Sequence, residues 1–127
     1  MNITWKYVKP LQDKNAVKLF LDSNKICLPD DLIQILEENN GGRPSEKAVI
    51  TDNNREYVFK SLLSYNKGDL ETIYSFFPEL FVETTLYPIG SDSAGNFICF
   101  DYKANKYVLL NHETNKVETI KQMNWLP

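Results

Sequence analysis

The sequence predicts an α+β fold: one domain, residues 1–127, with a central antiparallel β-sheet packed by N-terminal helices and one mid-chain helix. Three observations predict it. Apolar residues recur at helical spacing only within residues 13–39 and 69–77. The last third holds short apolar runs bounded by turn residues, as strands do. The links between those late segments are too short for the crossovers that parallel strands need.

Each element follows from its residues. Residues 1–12 carry no clear period, and Pro10 interrupts them. Asp13 to Ser23 reads as a helix, with Ala16, Val17, Phe20 and Leu21 on one apolar face and Asp13 as N-cap. A second helix opens at Leu28-Pro29-Asp30-Asp31, where proline suits the first turn and the acids suit its positive end. Leu32, Ile33, Ile35 and Leu36 form its buried side. It stops at Asn39-Asn40-Gly41-Gly42, residues that tolerate the left-handed C-terminal conformation.

Gly42 to Glu46 reads as a loop. Ala48–Thr51 and Glu56–Lys60 read as short strands around a turn at Asp52-Asn53-Asn54-Arg55. A third helix is expected from Asp69 to Phe77, with Leu70, Ile73, Tyr74 and Phe77 on one face and Pro78 as its stop. Strands follow at Thr85–Ile89, Asn96–Tyr102, Lys106–His112 and Lys116–Ile120. Their turns are Gly90–Gly95, Lys103-Ala104-Asn105 and Glu113-Thr114-Asn115. The strands are apolar on both faces, so cover is expected on both sides of the sheet.

Composition narrows the function. The chain has 127 residues, 43% hydrophobic and 24% charged, which excludes disorder, collagen and coiled coil. Its longest apolar stretch, Tyr107-Val108-Leu109-Leu110, falls far short of the roughly 20 residues of a membrane span. Met1-Asn2-Ile3-Thr4-Trp5-Lys6 lacks the apolar core of a signal peptide. Cys27 and Cys99 have apolar neighbours and are expected as reduced core residues of a cytoplasmic protein. A net charge of −3 argues against nucleic acid as a direct ligand.

That charge has a location. Residues 1–64 are balanced, and the whole excess of acid lies in residues 65–127. Gly68 to Tyr102 holds no Lys or Arg, but six acids: Asp69, Glu71, Glu79, Glu83, Asp92 and Asp101. It also holds Tyr74, Phe76, Phe77, Phe81, Tyr87, Phe97, Phe100 and Tyr102. One reading puts these aromatics in the core and the acids in solvent. The sharper one is an acidic face with aromatic anchors, suited to a basic protein partner.

Catalytic motifs fail one by one. His112-Glu113 would open a zinc-protease motif, but the required second histidine is Lys116. Cys27, Cys99 and His112 match no zinc spacing. The Asp52-Asn53-Asn54-Arg55-Glu56 run lacks the glycine and the final glutamate of a calcium loop. No phosphate-binding glycine motif is present. His112, between Asn111 and Glu113, reads first as a turn residue.

A series of motifs nevertheless stands in order: Leu28-Pro29-Asp30-Asp31, Asn40-Gly41-Gly42, Tyr87-Pro88-Ile89-Gly90-Ser91-Asp92 with Gly95-Asn96, Phe100-Asp101-Tyr102, and Asn111-His112-Glu113-Thr114. Over about Asp13 to Ile120 the chain resembles the SUKH superfamily, named after yeast cell-wall assembly regulators of the Smi/Knr type. The resemblance implies an α+β fold and no catalytic residues. Bacterial members are mostly immunity proteins of polymorphic toxin systems. They bind a cognate toxin domain, often a nuclease, and block it. The departure is at the C-terminus: where relatives continue into a helix, this chain has Met123-Asn124-Trp125-Leu126-Pro127, and Trp125 and Leu126 are expected to fill that place.

The resemblance and the charge pattern together predict an immunity protein that neutralises a basic toxin by occlusion. No cofactor, metal, nucleic acid or membrane is expected. The partner contacts expected on charge and exposure are Glu79, Glu83, Asp92, Asp101 and Tyr102, with His112 and Glu113 nearby. A regulatory scaffold of the cell-wall type is the rival binding function. A hydrolase built on Asp101, His112 and Glu113 is the rival enzyme, and it requires the three to converge.

Overall fold

A computed structural model describes residues 3–127. Its elements in order are β1 (Trp5–Lys6), α1 (Ala16–Ser23), α2 (Asp30–Glu38), β2 (Arg43–Pro44), β3 (Ala48–Thr51), β4 (Glu56–Leu62), α3 (Ile73–Leu80), β5 (Leu86–Asp92), β6 (Phe97–Asp101), β7 (Lys106–Leu110) and β8 (Val117–Gln122). Every pairing between these strands is antiparallel. The α+β class therefore stands, and among the described residues no helix is long and apolar enough to cross a membrane.

The meander does more than the sequence promised. β3 to β8 pair in chain order, and β3 also pairs β8, so the sheet closes into a barrel. Closure uses the pairs Ile50↔Gln122 and Thr51↔Ile120, with a register shift between them. A glutamate reinforces it from the side. Glu118 accepts from Tyr57 Oη at 2.6 Å and Thr51 Oγ1 at 3.0 Å, joining β8 to β4 and β3.

Partial burial pushes the Glu118 carboxyl up. Hydrogen bonds from Tyr57, Thr51 and Asn53, with the charge of Arg55, outweigh this and hold it below its ordinary value of 4.5. A carboxyl with a depressed folded pKa stabilises the fold above its unfolded pKa. That contribution is lost as pH falls through the folded value. Thermal melting between pH 5 and pH 3 is therefore expected to fall less steeply in Glu118→Gln than in the parent. Parallel curves for the two proteins would discount this clasp.

Three hairpins share one turn device. The Oδ1 of Asp92 accepts from the amides of Ala94 and Asn96, that of Asp101 from Lys103 and Ala104, and that of Asn111 from Glu113 and Thr114. Each turn closes on a residue with positive φ: Gly95 at +86°, Asn105 at +57° and Asn115 at +58°. Glycine and asparagine suit that conformation best. The turn residues read from the sequence thus have a mechanism.

Helix boundaries required correction. Asp13 does not cap α1 directly; its Oδ1 accepts from the Asn15 amide, and the helix begins at Ala16. α3 begins at Ile73 with Thr72 as its cap, whose Oγ1 accepts from the Ser75 amide at 3.1 Å. The Ser64 amide donates to Glu71 O and the Ile73 amide to Ser64 O, which holds residues 71 and 72 against the chain just after β4 in a non-helical path. Leu70 consequently leaves the apolar face and is 94% exposed. Pro78 lies inside α3 and removes one donor without stopping it.

The N-terminal segment and the loop after α2 also hold what the sequence left blank. β1 pairs β2 through Trp5↔Pro44 and Lys6↔Arg43. Buried Asn40 donates to Lys9 O and Ser64 Oγ and accepts from the Tyr65 amide, which ties residues near 9 to the segment just after β4. One contiguous apolar core runs through all three helices and the barrel. Phe20 is a hub within it, edge-on to Tyr65, Tyr74, Phe77 and Tyr87.

Both cysteines are free, but only Cys99 is in the core. Cys27 is exposed, contrary to the expectation. Ile26 and Leu28 on either side point inward, so the extended chain turns Cys27 outward.

Candidate partner-binding face

The aromatics of the acidic segment face inward. Phe77, Phe81, Tyr87, Phe97 and Phe100 are buried, and Tyr74, Phe76 and Tyr102 pack against the core. The expected aromatic anchors of a docking face are therefore core residues. Phe97, for example, takes Phe76 and Phe81 edge-on, at 5.1 and 5.4 Å between centroids.

The six acids divide just as sharply. Asp69 accepts from Ser64 Oγ at 2.5 Å, and Glu71 pairs with Lys60 at 2.9 Å. Asp92 is 2% exposed, and its carboxylate takes the Ala94 and Asn96 amides and the Asn96 side chain. It was expected to be exposed; the turn consumes it instead, and it offers a partner nothing. Asp101 is half-buried and spends Oδ1 on its own turn. Partial burial raises its carboxyl, but hydrogen bonds from Ala104, Thr85 and Lys103 and the charge of Lys106 bring it below its ordinary value.

Glu79 and Glu83 remain. Among the described residues neither pairs with a cation or accepts a hydrogen bond, and both are exposed. They line one shallow groove with Pro78, Leu80, Val82 and Thr84 at the end of α3. Leu80 is 52% exposed and Val82 60%. Two aliphatic side chains thus stand in solvent, bracketed by two free carboxylates. Buried Phe81 lies between them in sequence and pins the segment to the core.

Tyr102 borders this group. Its Oη donates to Thr84 O at 2.8 Å, and its amide donates to Thr85 O at 3.0 Å. The Thr84 hydroxyl in turn donates to Phe81 O at 2.9 Å, which stiffens the passage from α3 into β5. Glu79, Glu83, Asp101 and Tyr102 are gathered at this end of the barrel.

His112 and Glu113 are not. Asp101 pairs Lys106 at one end of β6, whereas Phe97 pairs Leu110 at the other. The His112 amide donates to Asn96 Oδ1 at 3.1 Å, and its Nδ1 lies 3.0 Å from the same oxygen. Asn96 and Asp101 are about 16 Å apart along the strand at 3.3 Å per residue. The hydrolase arrangement of Asp101, His112 and Glu113 therefore does not form. His112 serves its turn, with Glu113 Oε1 3.8 Å from Nε2.

Leu80 and Val82 were missed in the sequence. Leu80-Phe81-Val82 reads as three equivalent apolar residues. The available signal was helical geometry: successive residues on a helix point about 100° apart, so three in a row cannot all face the core.

This architecture is that of a small α+β domain with three helices set on a closed antiparallel sheet. The family model SUKH_6, described as SMI1-KNR4 cell-wall, matches residues 22–123, and the chain belongs to the SUKH superfamily. No curated protein and no solved structure matches the chain.

Proposed function

We propose that this SUKH domain is a cytoplasmic bacterial immunity protein that binds a cognate toxin domain and occludes its active cleft. One observation carries the reading: Leu80 and Val82 stand exposed between two unpaired carboxylates, Glu79 and Glu83. A toxin that cleaves nucleic acid presents a basic cleft. Two carboxylates entering it replace substrate phosphates, and they also steer association. Aliphatic side chains desolvated between them slow release. The protein acts as a plug and performs no chemistry.

The test is co-expression with the toxin domain encoded beside its gene. The parent chain is expected to restore growth. Glu79→Lys combined with Glu83→Lys is expected to weaken the complex at least about 100-fold and to abolish rescue. Its melting temperature should stay within about 2 °C of the parent, because both side chains are exposed and unpaired. Full rescue by the double reversal would remove this face. The cell-wall wording of the family description favours a second reading, a regulatory scaffold. In that reading the partner is a resident cell-wall or signalling protein, and no toxin is neutralised.

A further inference from the structure

The β1–β2 ribbon carries an unusual cluster. Tyr7 has φ +58° and is 71% exposed. The other described non-glycine residues with positive φ are Lys25, Asn54, Asn105 and Asn115. Lys25 directly follows the residue that caps the end of α1, and each asparagine lies in a hairpin turn. A bulky aromatic in this conformation is strained, and solvent gives it no packing in return. The Arg43 guanidinium lies 5.4 Å from the Tyr7 ring centroid.

Several cations stand around it, although Glu37 and Glu38 border the neighbouring Val8 and Pro10. Lys6 and Arg43 are directly opposite across the antiparallel pair. Like charges so placed repel. Lys9 follows two residues after Tyr7 and packs beside Gly41, close to Arg43 in the chain. Among the described residues none of these three cations pairs with a carboxylate, and the Arg43 guanidinium donates no hydrogen bond. Strain and repulsion thus meet on one exposed ribbon, where the Tyr7 ring lies against the Arg43 guanidinium, Lys6 stands opposite Arg43 and the Lys9 stem runs beside Gly41.

We infer that Tyr7, Lys6, Lys9 and Arg43 form a docking site for an acidic peptide segment of a partner protein. The guanidinium fork suits a carboxylate in two-point contact, and the ring holds the fork in place. The lysines accommodate further carboxylates along an extended chain. A single-stranded nucleic acid fits less well. Such sites stack successive bases on several aromatics along a basic groove, and here there is one ring on a chain of net charge −3. The site carries charge opposite to that of the Glu79–Glu83 face and stands independently of the toxin reading.

The test uses a fluorescein-labelled decaglutamate peptide and, in parallel, a dT decanucleotide. Decaglutamate is expected to bind the intact chain at low salt, with amide shifts clustered at residues 5–9 and 41–43. Tyr7→Asn and Arg43→Gln are each expected to weaken binding about three- to five-fold. Asparagine tolerates positive φ, so Tyr7→Asn should melt within about 2 °C of the parent while losing affinity. That separation distinguishes a residue kept for contact from one kept for folding. Lys103→Gln with Lys116→Gln should leave binding unchanged. The proposal is overturned if decaglutamate does not bind, if its binding ignores Tyr7 and Arg43, or if the dT decanucleotide binds more tightly through the same residues.

Discussion

Replacing Trp125 by alanine is expected to cost about 3–5 kcal/mol, the range for truncating a large buried aromatic. For a chain of this length that lowers the melting temperature by roughly 10–20 °C. The reason is position. Trp125 is buried two residues from the C-terminus, with ring centroids 5.0 Å from both Trp5 and Phe59. It therefore joins β1, β4 and the segment after β8, elements drawn from both ends of the chain.

Among the described residues its indole N–H has no partner, so the loss is one of packing rather than of hydrogen bonding. Trp125→Phe is consequently expected to retain most of the stability, at a cost below about 1.5 kcal/mol. Chemical denaturation of the two variants checks both numbers. A Trp125→Ala protein within about 1 kcal/mol of the parent would mean that the C-terminal segment does not contribute to the core.

Gly90→Ala is expected to cost about 3 kcal/mol, near the upper end for overpacking. A Cβ at Gly90 would meet Phe59 ring atoms at 2.5 and 2.6 Å and the Ser61 carbonyl oxygen at 2.6 Å. Register shifts fall at this point in both pairings: between Phe59 and Ser61 against β5, and between Pro88 and Gly90 against β6. The strands bend there, and the ring lies directly over the glycine.

Phe59→Leu removes the ring but leaves the carbonyl. Gly90→Ala is therefore expected to cost less in a Phe59→Leu background, with a coupling of about 1 kcal/mol, but not to become neutral. Strict additivity would exonerate the ring. A neutral single variant would mean that the bulge moves aside.

Much of this fold was legible because local signals agreed with the final structure. The period of Leu32 and Leu36, the apolar runs of β6 and β7, and the turn residues Asn105, Gly95 and Asn115 act over a few residues. α3 was misjudged at its start because Ser64 captures the chain at residues 71 and 73. Spacing alone could not show that Leu70, which fits the helical stripe, lies outside the helix. The β1–β2 pair, four residues in all, is too short to leave a period. Barrel closure joins Ile50 to Gln122 across most of the chain, and no local pattern encodes it.

By itself the sequence determined the α+β class, the antiparallel order of the strands and the SUKH motifs, and it placed the excess of acid between Gly68 and Tyr102. Only the tertiary structure decided which of those acids are available. Asp69 meets Ser64, Glu71 meets Lys60, and Asp92 and Asp101 fold back on their own turns. Among the described residues Glu79 and Glu83 form no ion pair, and they flank Leu80 and Val82. The physical reason is that charge belongs to a residue, whereas its neutralisation belongs to a neighbour. The nearest donor or cation is set by how distant segments pack.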